Sequence, residues 1–134
     1  MEKSKTIYID ANIFIFALCY DDENGERYRK LIKDVHEGKK IGVTSCLTVD
    51  EVWWYIKKTK SELFNEASAA LLNLNIKFSE VSKSMLYKAR EYMIRYNLKP
   101  RDAIHVATME SQNIKEIMST DEDFDKVPWI KRVV

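Results

Sequence analysis

Thr6-Ile7-Tyr8-Ile9-Asp10-Ala11-Asn12 is the stretch on which the fold turns. β-Branched and aromatic residues suited to a buried strand run directly into an acid, and Asp10 is placed to cap a following helix. Similar short apolar runs recur at residues 41–44, 76–81, 117–118 and 130–134. Between them lie stripes at helical spacing: Leu31, Ile32 and Val35; Val52, Tyr55 and Ile56; Ala67, Ala70, Leu71 and Leu74; Met85, Leu86, Ala89, Met93 and Ile94. Strands alternating with helices predict an α/β fold, its mainly parallel sheet covered by helices on both faces and joined by right-handed crossovers.

Length and composition agree with one domain over residues 1–134. The chain is 46% hydrophobic and 32% charged, with a net charge of +1. A chain of this size buries roughly two-thirds of its unfolded surface, so it needs no staples. The balanced charge excludes a disordered polyelectrolyte and a strongly basic coat protein, while leaving room for a local basic patch. Cys19 and Cys46 both lie in apolar stretches and read as buried free thiols; no Cys-x-x-Cys or Cys/His cluster suggests zinc. Lys3 and Lys5 before an apolar run imitate the start of a signal peptide, but Asp10 and Asn12 interrupt it and no cleavage site follows. No apolar stretch is long enough to span a bilayer. A cytoplasmic protein is expected. The only glycines are Gly25, Gly38 and Gly42, so neither a dinucleotide-binding turn, a P-loop nor a nucleophile elbow is present.

Side chains must therefore build any site, and open parallel sheets place their sites at the carboxyl ends of strands. The first strand ends at Asp10. The second ends near Thr44-Ser45, and the next helix begins at once, with Glu51 inside its first two turns. Asp121 and Asp123 follow the strand at Ile117. Asp102 comes just after Pro100, a residue favoured in the first turn of a helix. That helix feeds the Ile117 strand, so its N-terminus lies at the same edge. Each acid also has a structural explanation: Asp10 as a cap, Thr48 and Glu51 as a capping box, Asp102 as a dipole-favoured residue, Asp121 and Asp123 as turn formers. Carboxylates gathered from four segments at one edge repel one another, however, and a cation would relieve that repulsion. All-oxygen ligation suits Mg²⁺, with Mn²⁺ also possible, better than Zn²⁺.

Four segments, in this order, resemble the PIN-domain family, and in particular the toxin ribonucleases of VapBC-type toxin–antitoxin pairs. They are Ile7-Tyr8-Ile9-Asp10-Ala11-Asn12, Thr48-Val49-Asp50-Glu51-Val52, Pro100-Arg101-Asp102-Ala103-Ile104-His105-Val106-Ala107 and Ser119-Thr120-Asp121-Glu122-Asp123-Phe124-Asp125. The resemblance implies a three-layer α/β/α sandwich and a metal-dependent endoribonuclease, the toxin of such a pair. Asp10, Glu51 and Asp102 match the family's recurrent acids and Asp121 the fourth, with Asp10 and Asp102 the direct metal ligands. Glu51 and Asp121 would ligate a second ion or act through water. Asp123 aligns with a more variable position. Asn12 and Thr120 match small polar positions that orient ligands or a phosphate. The chemistry expected is metal-assisted attack of water on RNA, leaving a 5′-phosphate and a 3′-hydroxyl.

Basic residues should guide RNA to so acidic a site. Arg101, beside Asp102, is the first candidate, ahead of Lys57, Lys58, Lys60, Lys126, Lys131 and Arg132. His105 reads as a satisfied structural histidine, and His36 as a dipole-favoured residue in a helix's last turn. Trp53 and Trp54 are adjacent on one helix and cannot share a core. One is expected to pack inside and the other to cover a partner surface in a homodimer, the alternative being that they pack into two different layers. RNA substrate, homodimer and an antitoxin protein are thus the expected partners, with no membrane. Two alternatives stay open: a housekeeping RNA-processing PIN nuclease, and a non-catalytic RNA- or protein-binding PIN module. A haloacid-dehalogenase-like phosphatase is disfavoured because Asn12 stands where a second aspartate is required.

Overall fold

The computed structural model describes residues 5–133. Lys3 of the leader-like start and Val134 of the last expected strand lie outside them. β1 (Thr6–Ile9), β2 (Ile41–Ser45), β3 (Lys77–Ser79), β4 (Glu116–Met118) and β5 (Lys131–Val133) form one sheet in the order β3-β2-β1-β4-β5. Every pairing is parallel. The third strand is shorter than the apolar run 76–81 that foretold it, because only Lys77–Ser79 pairs with β2.

The pleat sorts side chains into two cores. Ile7 and Ile9 of β1 face one side, where they meet α1 (Ala11–Cys19), α2 (Glu23–His36), α3 (Cys46–Thr59) and α4 (Phe64–Leu72) through Phe14, Ile32, Val35, Val52, Ile56 and Leu71. Tyr8 points to the other, against α5 (Lys83–Tyr96) and α6 (Pro100–Ser111), with Ala89, Tyr92, Val106 and Met109. The result is the three-layer α/β/α sandwich. Gly42 is required by this packing: a Cβ there would come within 2.5 Å of Val35 and 2.7 Å of Ile76.

Two helical expectations need correction. In α5, Ala89 and Tyr92 are buried, while Leu86 and Ile94 are exposed; the helix presents its small and aromatic residues to the sheet, so the expected stripe is rotated away at both ends. In α3 the cap is Ser45, whose Oγ accepts from the Leu47 amide at 3.0 Å. Thr48 therefore lies inside the helix, its Oγ1 2.8 Å from that of Thr44, and no capping box with Glu51 forms. Cys46 is exposed as the first residue of α3, whereas Cys19 is buried as expected. His36 does sit in the last turn of α2, and its Nδ1 accepts from the Asn75 amide at 2.9 Å. Among the described residues, no helix is long and apolar enough to cross a membrane.

The strand order reverses direction about β1: the chain steps from β1 to β2 and β3 on one side, and reaches β4 and β5 on the other. Beyond the carboxyl ends of β1 and β4, crossovers leave in opposite directions and open a crevice at this switch point. Asp10 and Ser119 are the first residues past those two ends.

Candidate metal centre

Asp10 is fixed from three sides. Its backbone amide donates to the Met118 carbonyl at 3.0 Å, continuing the β1–β4 ladder by one step. Its Oδ1 accepts from the Ala11 amide at 2.8 Å, which makes it the N-cap of α1. Its Oδ2 accepts from the Ser119 hydroxyl at 2.7 Å. The residue is only 6% exposed. Burial pushes its carboxyl above the usual range; His105, Ser119 and the Ala11 amide pull it back, and Glu51 adds to the rise. Capping and site-building are thus the same geometry.

Ser119 also accepts from the Asp121 amide at 3.0 Å, so one hydroxyl ties the acid after β1 to the acid after β4. Sequence reading missed it; its position directly past a strand end, between β4 and an acid, was the available signal. Asp121 Oδ1 accepts from the Asp123 amide at 2.9 Å and opens the 3₁₀ turn Glu122–Lys126. That turn, together with Pro100 at the first position of α6, brings Asp102, Asp121 and Asp123 together. One carboxylate oxygen from each lies within 4.8 Å of the others. Asp102 is pushed up to about 6, by burial first, then by Asp121 and Asp10, with His105 opposing and Asp123 adding. Asp123, aligned only with a variable position, thus belongs to the same cluster.

This donor set fits a hard divalent cation. One carboxylate oxygen each from Asp102, Asp121 and Asp123, all within 4.8 Å, are near enough for a single such ion to be shared among them. The donors are oxygens alone, and a cation would offset both the burial and the neighbouring acids that raise Asp102.

Glu51 reaches the same crevice from the second turn of α3. Its Oε1 is 2.7 Å from His105 Nε2, while His105 Nδ1 is 2.6 Å from the Tyr8 hydroxyl. His105 is fully buried and satisfied at both nitrogens, as expected of a structural histidine, yet it also stands 3.8 Å from Asp10. Burial opposes its charge, but the bond to Glu51 and the field of Asp10 prevail and raise it.

A cleft of about 250 Å³ is lined by Asp10, Asn12, Glu51, Asp102 and Asp121, with Arg101, Trp54 and Tyr55 among its other walls. Asn12 Oδ1 accepts a long 3.5 Å bond from the Thr120 amide, and Thr120 itself is exposed outside the lining. Arg101 is at the rim. Lys126 pairs with Asp123 of the cluster at 3.5 Å, and Arg132 is engaged outside it with Asp125 at 3.1 Å. Trp53 packs edge-on to Phe64, whereas Trp54 is 57% exposed at the cleft. Trp54 and Tyr55 were not read as cleft residues, because spacing alone does not say which side of α3 meets α1.

Comparison with known proteins follows the same geometry. Ribonuclease VapC13 of Mycobacterium tuberculosis is 26% identical over 129 residues, spanning 95% of this chain and 98% of that one. Ribonuclease VapC2 of Methanocaldococcus jannaschii is 28% identical over 145 residues, spanning 98% and 94%. Among solved structures, Mycobacterium tuberculosis VapC20, a sarcin-ricin loop cleaving toxin, superposes with a TM-score of 0.77 at 17% identity, over 92% of this chain and 96% of that one. A toxin–antitoxin complex from Klebsiella pneumoniae gives 0.74 at 20% identity, over 96% of each chain. The family model of the PIN domain matches residues 7–130, from β1 to the edge of β5, and the chain belongs to the PIN-domain family.

Proposed function

We propose that this protein is a metal-dependent endoribonuclease, one domain over residues 1–134, acting as the toxin of a VapBC-type pair. The observation that carries the reading is the convergence of Asp10, Glu51, Asp102 and Asp121 from four separate segments on one cleft at the switch point. The ribonuclease relatives, which match over nearly their whole length, support the activity. The structural neighbours determined as toxin–antitoxin complexes support an antitoxin partner.

Asp10 and Asp102 would hold Mg²⁺ or Mn²⁺, with Asp121 and Glu51 completing the set and Asp123 beside them. The bound ion supplies an activated water and charge stabilisation for the departing 3′-oxygen. The chain's own groups do the rest. Ser119 and the Ala11 amide fix the rotamer of Asp10, and His105 fixes that of Glu51. Arg101 at the rim meets the incoming phosphate, and Asn12, with Thr120 behind it, orients the wall opposite.

The homodimer is proposed on a different face from the one the paired tryptophans suggested. Leu86, Tyr87 and Ile94 are 46%, 65% and 70% exposed and lie within about a third of the circumference of α5. Such a patch on a soluble chain marks a contact surface.

Wild type and Asp10→Asn, incubated with labelled cellular RNA in Mg²⁺ or Mn²⁺ and again in EDTA, test the activity. Cleavage that EDTA abolishes and Asp10→Asn lacks is the expected result. Cleavage persisting in both variants would mean a contaminant and remove the support.

A further inference from the structure

One face of α3 carries a graded row of side chains. Glu51 lies deepest in the cleft; Trp54 follows three residues on and Lys58 four beyond that. At 1.5 Å per residue they are spread over about 10 Å of helix, all on the side that Glu51 occupies. Trp54 is among the described chain's exposed large hydrophobics, and it forms a wall of the acidic cleft. Lys58 Nζ sits 4.6 Å from its ring centroid. The neighbouring Tyr55 hydroxyl is tied to that of Tyr20, the residue that ends α1, which fixes the cleft wall beside the indole.

An indole left in water costs hydrophobic free energy unless something covers it. We propose that Trp54 is a stacking shelf for a base of single-stranded RNA flanking the scissile phosphate, with Lys58 meeting the adjoining backbone. This inference rests on the nuclease reading. A nucleobase fits better than a protein side because the shelf is continuous with the acidic cleft and carries its own cation. A base offers a π-face to the ring, and its backbone offers an anion to the ammonium. Such stacking is tolerant of sequence, so the shelf would hold a substrate strand without selecting its bases.

The test measures binding separately from cleavage. Two fluorescein-labelled ten-nucleotide RNAs, one of adenylates and one with the same backbone lacking bases, are titrated in Mg²⁺ against Asp10→Asn, which holds the strand uncut. Asp10→Asn should prefer the base-bearing strand. Adding Trp54→Ala should weaken that strand by roughly fivefold or more, leave the abasic strand within about twofold, and be rescued by Trp54→Phe. Equal weakening of both strands, no weakening, or no preference for bases in Asp10→Asn overturns the shelf. So does a change of oligomeric state by light scattering in Trp54→Ala, which would mean that a second copy covers the ring. Metal-dependent cleavage by wild type, run alongside, tells the two failures apart. If it cleaves, the shelf alone is wrong; if it neither cleaves nor binds RNA, the nuclease reading falls and the shelf with it.

Discussion

His105 Nε2 lies 2.7 Å from Glu51 Oε1, inside a chain of contacts that begins at the Tyr8 hydroxyl in the middle of β1. An ionised Glu51 can only accept, so Nε2 carries a proton towards it. Burial above all, then the nearby acids, raises Tyr8, which keeps its phenol neutral and able to bond Nδ1. The histidine therefore joins the sheet's core to the cleft's acid. His105→Ala should take one bond from a buried phenol and one from the Glu51 carboxylate and open a void, at a cost of about 2–4 kcal/mol. Urea unfolding checks this. A loss below about 1 kcal/mol would mean that the pair contributes little to the fold.

Ser119 is the second link, bonded to Asp10 at 2.7 Å and to the Asp121 amide at 3.0 Å. Ser119→Ala removes a hydroxyl that stabilises the Asp10 charge, so the Asp10 carboxyl should rise further and the pH profile of cleavage should move to the alkaline side. Loss of an orienting bond to a metal ligand typically costs 10- to 100-fold in affinity or activity, and about 1–3 kcal/mol of stability is expected. An unchanged pH profile, with rates within twofold of wild type, would show that the Ala11 amide alone positions Asp10.

The α5 patch makes a prediction independent of chemistry. Ile94→Glu places a charge at its most exposed apolar position without disturbing Ala89 or Tyr92 beneath. Light scattering at tens of micromolar should then report a monomer where wild type reports a dimer, with an unchanged circular dichroism spectrum. A dimer in both variants would move the interface elsewhere.

The strands and the acids were legible because each is a local signal: a β-branched run, and an acid just past a strand's end or in the first turns of a helix. Rotation and pairing were not. Nothing in the spacing of Trp53 and Trp54 says which faces the core, since that depends on where α1 and α4 meet α3. Tyr8 and His105 are 97 residues apart and meet only when β1 is covered by α6. The apparent capping box failed because Ser45, three residues before Thr48, caps first, and a helix takes the first adequate cap it meets. Ile94 fits a stripe on paper, but Ala89 and Tyr92 present the surface that packs on the sheet. The Asp123 side chain joined the cluster through a 3₁₀ turn that sequence spacing alone does not announce.

Asp102 links stability to pH and to metal. Its carboxyl is raised to about 6 against an unfolded value near 3.8, so between those values the native state binds more protons than the unfolded chain. Stability of the metal-free protein must then fall as pH rises from about 4 to 6 and level off above. The full shift corresponds to about 3 kcal/mol, which solvent screening of this half-exposed group reduces to about 1–2 kcal/mol. Burial raises Asp10 in the same direction, so its contribution has the same sign. A divalent cation cancels the repulsion but must displace the proton below pH 6. Thermal unfolding with and without Mn²⁺ should therefore show a larger gain in Tm at pH 7.5 than at pH 5, and Asp102→Asn should flatten both the pH slope and the Mn²⁺ gain. A gain in Tm equal at the two pH values, or one that survives Asp102→Asn, would place the cation away from this carboxylate.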